Sequence, residues 1–149
     1  MDSAMDQTTT TDAVDRFRAA TKDRDFEAVQ ATLTPDATLI SPLSGRLVFR
    51  GADDLRILLT AAYGGVSGLR WTEQIGDGAH RVLLAEAALG PFRFTEALVL
   101  ELADDGRIRT LKPHLRPWLS LTVLAVWLAP GLLKHPGVLR RAMRGASAP

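Results

Sequence analysis

The stretch FRFTEALVLEL, Phe92–Leu102, alternates. Phe92, Phe94, Glu96, Leu98, Leu100 and Leu102 fall on one side of an extended chain. Arg93, Thr95, Ala97, Val99 and Glu101 fall on the other. Sustained period two predicts a long strand with one face against a core. The same reading extends outward in both directions. Upstream, RVLLAEAAL (Arg81–Leu89) is a second strand, with Val82, Leu84, Glu86 and Ala88 on one face. Before the turn GDGAH, Leu69, Trp71, Glu73 and Ile75 share a face of another strand. Downstream, ADDG turns the chain into a last strand, Arg107–Leu115. Polar turn residues at each break predict an antiparallel meander.

The N-terminal third has a different period. Val14, Phe17 and Ala20 form a helical stripe within Thr11–Thr21, which Thr11 or Asp12 can cap. KDRD breaks the chain, and Asp25 caps a second helix with Phe26, Val29 and Leu33 as its stripe and Pro35 as its end. ATLISP and LVFRG then read as two short strands around PLSG. Ala52–Tyr63 returns to helical spacing through Leu55, Leu58, Leu59 and Ala62, and GGVSG closes it. Helices set against one antiparallel sheet give the class α+β.

The chain has 149 residues, 46% hydrophobic and 23% charged, with a net charge of +1. These values suit one globular domain. No cysteine is present, which excludes disulfides and thiolate chemistry and fits a reducing, cytoplasmic location. MDSAMDQTTTTD has neither the basic nor the apolar region of a signal peptide, and residues 1–10 are expected to be a disordered leader. Residues 11–117 form the expected domain and 118–149 an extension. That extension opens with WLSLTVLAVWLA (Trp118–Ala129), whose only polar residues are Ser120 and Thr122. It is too short to span a bilayer, which needs about 20 apolar residues. From Arg107 to Pro149 the chain holds eight Lys or Arg and no acid. Two readings follow: a helix that closes the sheet or contacts a second copy, or an interfacial membrane contact with a basic flank.

The order and spacing of several segments resemble the nuclear transport factor 2-like superfamily, which includes SnoaL-like cyclases, steroid delta-isomerases and limonene epoxide hydrolases. The segments are KDRDFEAV, PDATLISP leading into the first strand, FRGADDL opening the third helix, and DDGRIRTLKPHLRP at the end. The resemblance covers most of Asp12–Pro117. It implies a cone-shaped curved antiparallel sheet wrapped around three N-terminal helices, open to a hydrophobic pocket, and a homodimer; the apolar C-terminal helix read above lies beyond it. It does not carry over the steroid-isomerase mechanism. The position of that family's aspartate, before a proline, is Ser41 here, and the first-helix tyrosine aligns with Phe17. A serine is not a base at neutral pH.

Candidate chemistry therefore rests on other residues. Glu96 is the lone acid in an apolar row, where burial would raise its pKa. Glu86 and Glu73 are further acids in apolar company. Each acid has an alternative as a rim residue or as partner of a cross-strand arginine such as Arg93 or Arg109. His114, near the end of the last strand, suits acid–base work at a pocket mouth or a structural role. Catalytic candidates are thus Glu96, His114 and Glu86. Phe17, Ser41, Trp71, Glu73, Phe94 and Leu98 are candidates for binding an apolar ligand. No metal or cofactor is expected, because three scattered histidines offer no ligand spacing and no phosphate loop is present. Nucleic acid is not expected either, since Trp118 and Trp127 are not interleaved with the basic residues. The expected function is isomerisation, cyclisation or hydration of a polyketide-, terpenoid- or steroid-like molecule. The alternatives are a non-catalytic carrier or a membrane or protein interaction module.

Overall fold

The structure, a computed structural model, describes residues 12–144; Thr11 and the expected leader lie outside them. Two helices come first. Helix α1 (Ala13–Asp23) starts at Asp12, whose carboxylate accepts from the Val14 amide at 2.9 Å. Arg24 ends it in the left-handed conformation at φ 58°. Helix α2 (Phe26–Ala31) is capped by Asp25, as expected from KDRD. Helix α2 ends earlier than its stripe suggested. The Thr32 hydroxyl donates to the Val29 carbonyl at 2.6 Å and closes the turn. Leu33 and Pro35 therefore belong to strand β1 (Leu33–Ile40). Proline is tolerated there because the pairing of this strand is irregular between Leu33 and Thr38.

Strand β2 (Val48–Arg50) and helix α3 (Ala52–Gly64) follow, then the meander β3 (Ser67–Ile75), β4 (His80–Leu89), β5 (Phe92–Leu102) and β6 (Ile108–Arg116). The six strands form one curved sheet in the order β2-β1-β6-β5-β4-β3. Every pairing is antiparallel except β1 with β6, which is parallel. That one pairing differs from an all-antiparallel expectation. Helix α3 and the meander separate β1 from β6 in the chain and supply the crossover that parallel neighbours require.

One face of the sheet is buried. Leu98, Leu100 and Leu102 of β5 and Leu83 of β4 pack with Val14 and Phe17 of α1 and Leu55, Leu58 and Leu59 of α3. A smaller cluster of Val66, Ala87, Leu89 and Phe94 lies beside it. Two C-terminal helices complete the fold. Helix α4 (Trp118–Leu133) adds Leu132 to the edge of the first cluster and Val123 and Leu124 to the second. Helix α5 (Pro136–Arg144) buries Val138 and Ala142. Its Arg141 donates two hydrogen bonds of 2.8 Å to Asp54, in the first turn of α3. Among the described residues, no single helix is long and apolar enough to cross a membrane.

Asp12 combines two tasks, because it also pairs with Arg81 of β4 at 2.9 Å. Replacing Asp12 with alanine removes both the cap and the tie between α1 and the sheet. The expected loss is about 1–2 kcal/mol. It should appear in urea denaturation as a lower midpoint with an unchanged slope.

Candidate functional site

Alternation along β5 aims Glu96 inward between Phe94 and Leu98, and the carboxyl is buried. Its neighbours across the sheet are Ala85 on β4 and Leu115 on β6. From the other side, α3 brings Tyr63 into the same space. Tyr63 follows Leu59 by one helical turn and so lies on the buried face of α3. Its hydroxyl donates to Glu96 and lies 3.2 Å from both carboxylate oxygens.

The pair lines a cavity of about 80 Å³. All other lining side chains are apolar, among them Leu39, Leu58, Val66 and Leu111. The cavity occupies the seam between the two apolar clusters. Leu124 and Leu128 of α4 close one side of it. A second cavity of about 90 Å³ shares Leu39, Pro42, Leu58, Leu124 and Leu128 with the first.

Burial pushes the Glu96 carboxyl up to about 7, against a partial pull downward from the Tyr63 hydrogen bond. Burial, reinforced by the adjacent Glu96 charge and hydrogen bond, pushes the Tyr63 phenol well above its ordinary value. At neutral pH, Glu96 therefore holds its proton part of the time while Tyr63 remains a donor. A carboxyl in this state can both accept and return a proton.

The other sequence candidates separate. Phe94 and Leu98 do line the Glu96 cavity. Phe17 and Trp71 pack in the core instead, with ring centroids 6.1 Å apart, and neither lines these two cavities. The Trp71 indole donates to Thr21. Ser41 borders the second cavity only, and its hydroxyl accepts from the Leu43 amide at 3.1 Å. Glu86 points to the outer face of the sheet and forms an exposed ion pair with Arg70 at 2.6 Å. Glu73 is exposed because the pairing of β3 shifts between Trp71 and Glu73, which turns Gln74 inward in its place. His114 is exposed because Pro113, opposite Leu98, takes the inward position.

Glu96 thus pairs with a tyrosine and not with a cross-strand arginine. Sequence reading did not single out Tyr63. Two signals for it were present: it is the chain's single tyrosine, and it continues the Leu55–Leu59 stripe by one turn. A wider cleft of about 710 Å³ opens at the ends of β3–β6, with Glu86, Arg93 and Arg116 on its walls. It is open to water, so it lacks the desolvation that alters Glu96. Among the described residues, no cluster of three His, Asp or Glu side chains could hold a metal ion.

The raised value makes Glu96 a stability sensor. The folded state holds this proton more tightly than the unfolded chain, where the value is 4.5. The stabilising contribution of the proton is complete below pH 4.5 and is lost as pH rises through about 7. Glu96→Gln keeps the shape and removes the titration. Between pH 4.5 and 8.5, the stability of the glutamine variant relative to wild type should rise by about 3 kcal/mol. Chemical denaturation across that range measures the difference.

Comparison with known proteins agrees with this architecture. The family model described as a SnoaL-like domain matches residues 14–111. Among solved structures, an uncharacterised bacterial protein with a cystatin-like fold from Silicibacter pomeroyi is similar at a TM-score of 0.83 and 17% identity. The alignment covers 91% of this chain and 97% of that one. A steroid delta-isomerase from Pseudomonas aeruginosa aligns at a TM-score of 0.76 and 22% identity over 84% of this chain and 92% of its own. A candidate polyketide cyclase from Sinorhizobium meliloti aligns at 0.59 and 21% over 68% and 93%. At these identities the neighbours establish the fold alone. No functionally curated protein matches the chain. A curved sheet closed over helices, together with a family match across most of the described domain, places this chain in the SnoaL-like domain family, within the nuclear transport factor 2-like fold.

Proposed function

We propose that this chain is a small acid–base enzyme for an apolar carbonyl compound, with Glu96 as proton carrier and Tyr63 as hydrogen-bond donor to the substrate oxygen. One observation carries this reading: a single carboxyl titrating near neutrality, with one phenol beside it, in an otherwise apolar cavity. Apolar walls would select a hydrophobic molecule and exclude water.

In the proposed step, the Glu96 carboxylate removes a proton from carbon adjacent to the carbonyl. The C–H electron pair moves onto the carbonyl oxygen, and Tyr63 turns its hydroxyl from Glu96 to that oxyanion. Protonated Glu96 then returns the proton at another carbon, which is isomerisation. Alternatively, the enolate re-forms its carbonyl as its carbon attacks a second carbonyl of the same molecule, and protonated Glu96 returns the proton to the new alkoxide, which is cyclisation. Neither path requires a base on β1, so Ser41 at the aspartate position is compatible with both. The steroid delta-isomerase and the candidate cyclase among the structural neighbours are consistent with such chemistry.

The cavity has room for two or three waters at about 30 Å³ each. A substrate of ordinary size needs about 300 Å³ or more. Leu124 and Leu128 stand between the two cavities and both belong to α4, so an outward shift of α4 would merge them. The proposed enzyme therefore requires such a shift before substrate enters. A carrier that holds its ligand without altering it is the second reading. The Tyr63–Glu96 hydrogen bond favours it, because each group already has a partner without a ligand.

A panel of β,γ-unsaturated ketones, followed by the ultraviolet absorbance of the conjugated product, tests the enzyme reading. Glu96→Gln should lower kcat/KM by about 10²–10⁴. Tyr63→Phe should lower it by about 10²–10³. It should also move the rising limb of the pH profile above about 7, since the lost hydrogen bond had lowered the Glu96 value. Turnover unaffected by both substitutions excludes this mechanism. Ketones that bind near Glu96 and are recovered unchanged support the carrier.

A further inference from the structure

Helix α4 is apolar on both sides. Leu121, Leu124, Leu128 and Leu132 face the domain and are half-buried. On the opposite side, Trp118 is 75% exposed, Val126 70% and Leu133 69%. Leu119, Ala129 and Pro130 are exposed along the same side. No charged residue interrupts Trp118–Leu133. The helix therefore presents an uncovered apolar stripe roughly 24 Å long. A monomer in water rarely leaves such a patch uncovered.

Cations frame this stripe. Arg116 precedes the helix and Lys134 caps its end. Arg140 and Arg144 are exposed on α5, and no acid occurs after Asp105. Helices α4 and α5 do not make one straight span: the axis bends by 114° between Leu121–Leu133 and Pro136–Arg144. The Arg141–Asp54 hydrogen bonds hold α5 on α3 in that bent arrangement. We propose that α4 lies flat on an anionic lipid bilayer, with its outer stripe among the acyl chains and Arg116, Lys134, Arg140 and Arg144 at the headgroups. Apolar burial and headgroup attraction act together in such a contact. A second copy set on this face by a two-fold axis would bring the same cations against one another, which disfavours it as the occupant. Bilayer contact also puts the helix that closes the Glu96 cavity at the lipid surface. The docking itself does not depend on whether Glu96 is catalytic.

The test is co-sedimentation of the full chain with vesicles of phosphatidylcholine alone or mixed with phosphatidylglycerol. Binding to the mixed vesicles, weakened by salt, is expected. The triple substitution Lys134→Gln, Arg140→Gln and Arg144→Gln should weaken it about a hundredfold at low ionic strength. Val126→Glu with Leu133→Glu should abolish it, and both positions are exposed, so the fold should persist by circular dichroism. If that double variant misfolds, the triple variant decides. No sedimentation of wild type with the mixed vesicles at low salt overturns the proposal. So does binding that the triple variant leaves intact, or a dimer in light scattering that Val126→Glu with Leu133→Glu dissociates.

Discussion

A curved sheet with one apolar face must have that face covered, and the order of elements in this chain follows from that requirement. Three helices precede the meander and bury most of the rows offered by β4 and β5. They do not reach the second cluster around Phe94 and Leu89. Helix α4 covers that part. It is therefore a structural element of the domain on its inner side, while its outer side is apolar for no reason internal to the fold. The hydrogen bonds between Arg141 and Asp54 hold α5, and with it the end of α4, against the N-terminal turn of α3.

The seam between the two clusters is where the fold buries Glu96 among apolar side chains. An ionised carboxyl surrounded by leucine and phenylalanine loses hydration that a single phenol cannot fully replace. The balance is visible in the direction of each effect: burial raises Glu96, Tyr63 lowers it, and burial dominates. Other acids of these strands stay at the surface. Glu86 and Glu101 instead make surface ion pairs with Arg70 and Arg109, and such pairs add about 0–1 kcal/mol. Three acids on two neighbouring strands thus take two roles, one buried and two paired at the surface, from their facing.

Facing also explains which sequence expectations survived. The long alternation of β5 put Glu96, Phe94 and Leu98 inward without any tertiary information, since a regular strand has only two sides. Glu73 and His114 failed that logic for local reasons. A register shift after Trp71 exchanged the sides of β3. On β6, the inward position of Pro113 sent His114 outward. For Glu86 both faces of β4 were apolar, so composition could not tell the core side from the outer side. Phe17 and Trp71 were legible as buried aromatic residues, but burial in the core and exposure to a cavity leave the same pattern in a sequence.

By itself the sequence determined the class, the order of helices and strands, and the isolation of one acid in an apolar row. These depend on periodicity and capping, which act between residues near one another in the chain. Tertiary structure alone decided that Tyr63 meets Glu96, that β1 lies parallel to β6, and that α4 closes the cavity. Each of these joins segments far apart in the chain, and their meeting is set by the curvature of the sheet and the packing of helices upon it, quantities that no local pattern of residues encodes.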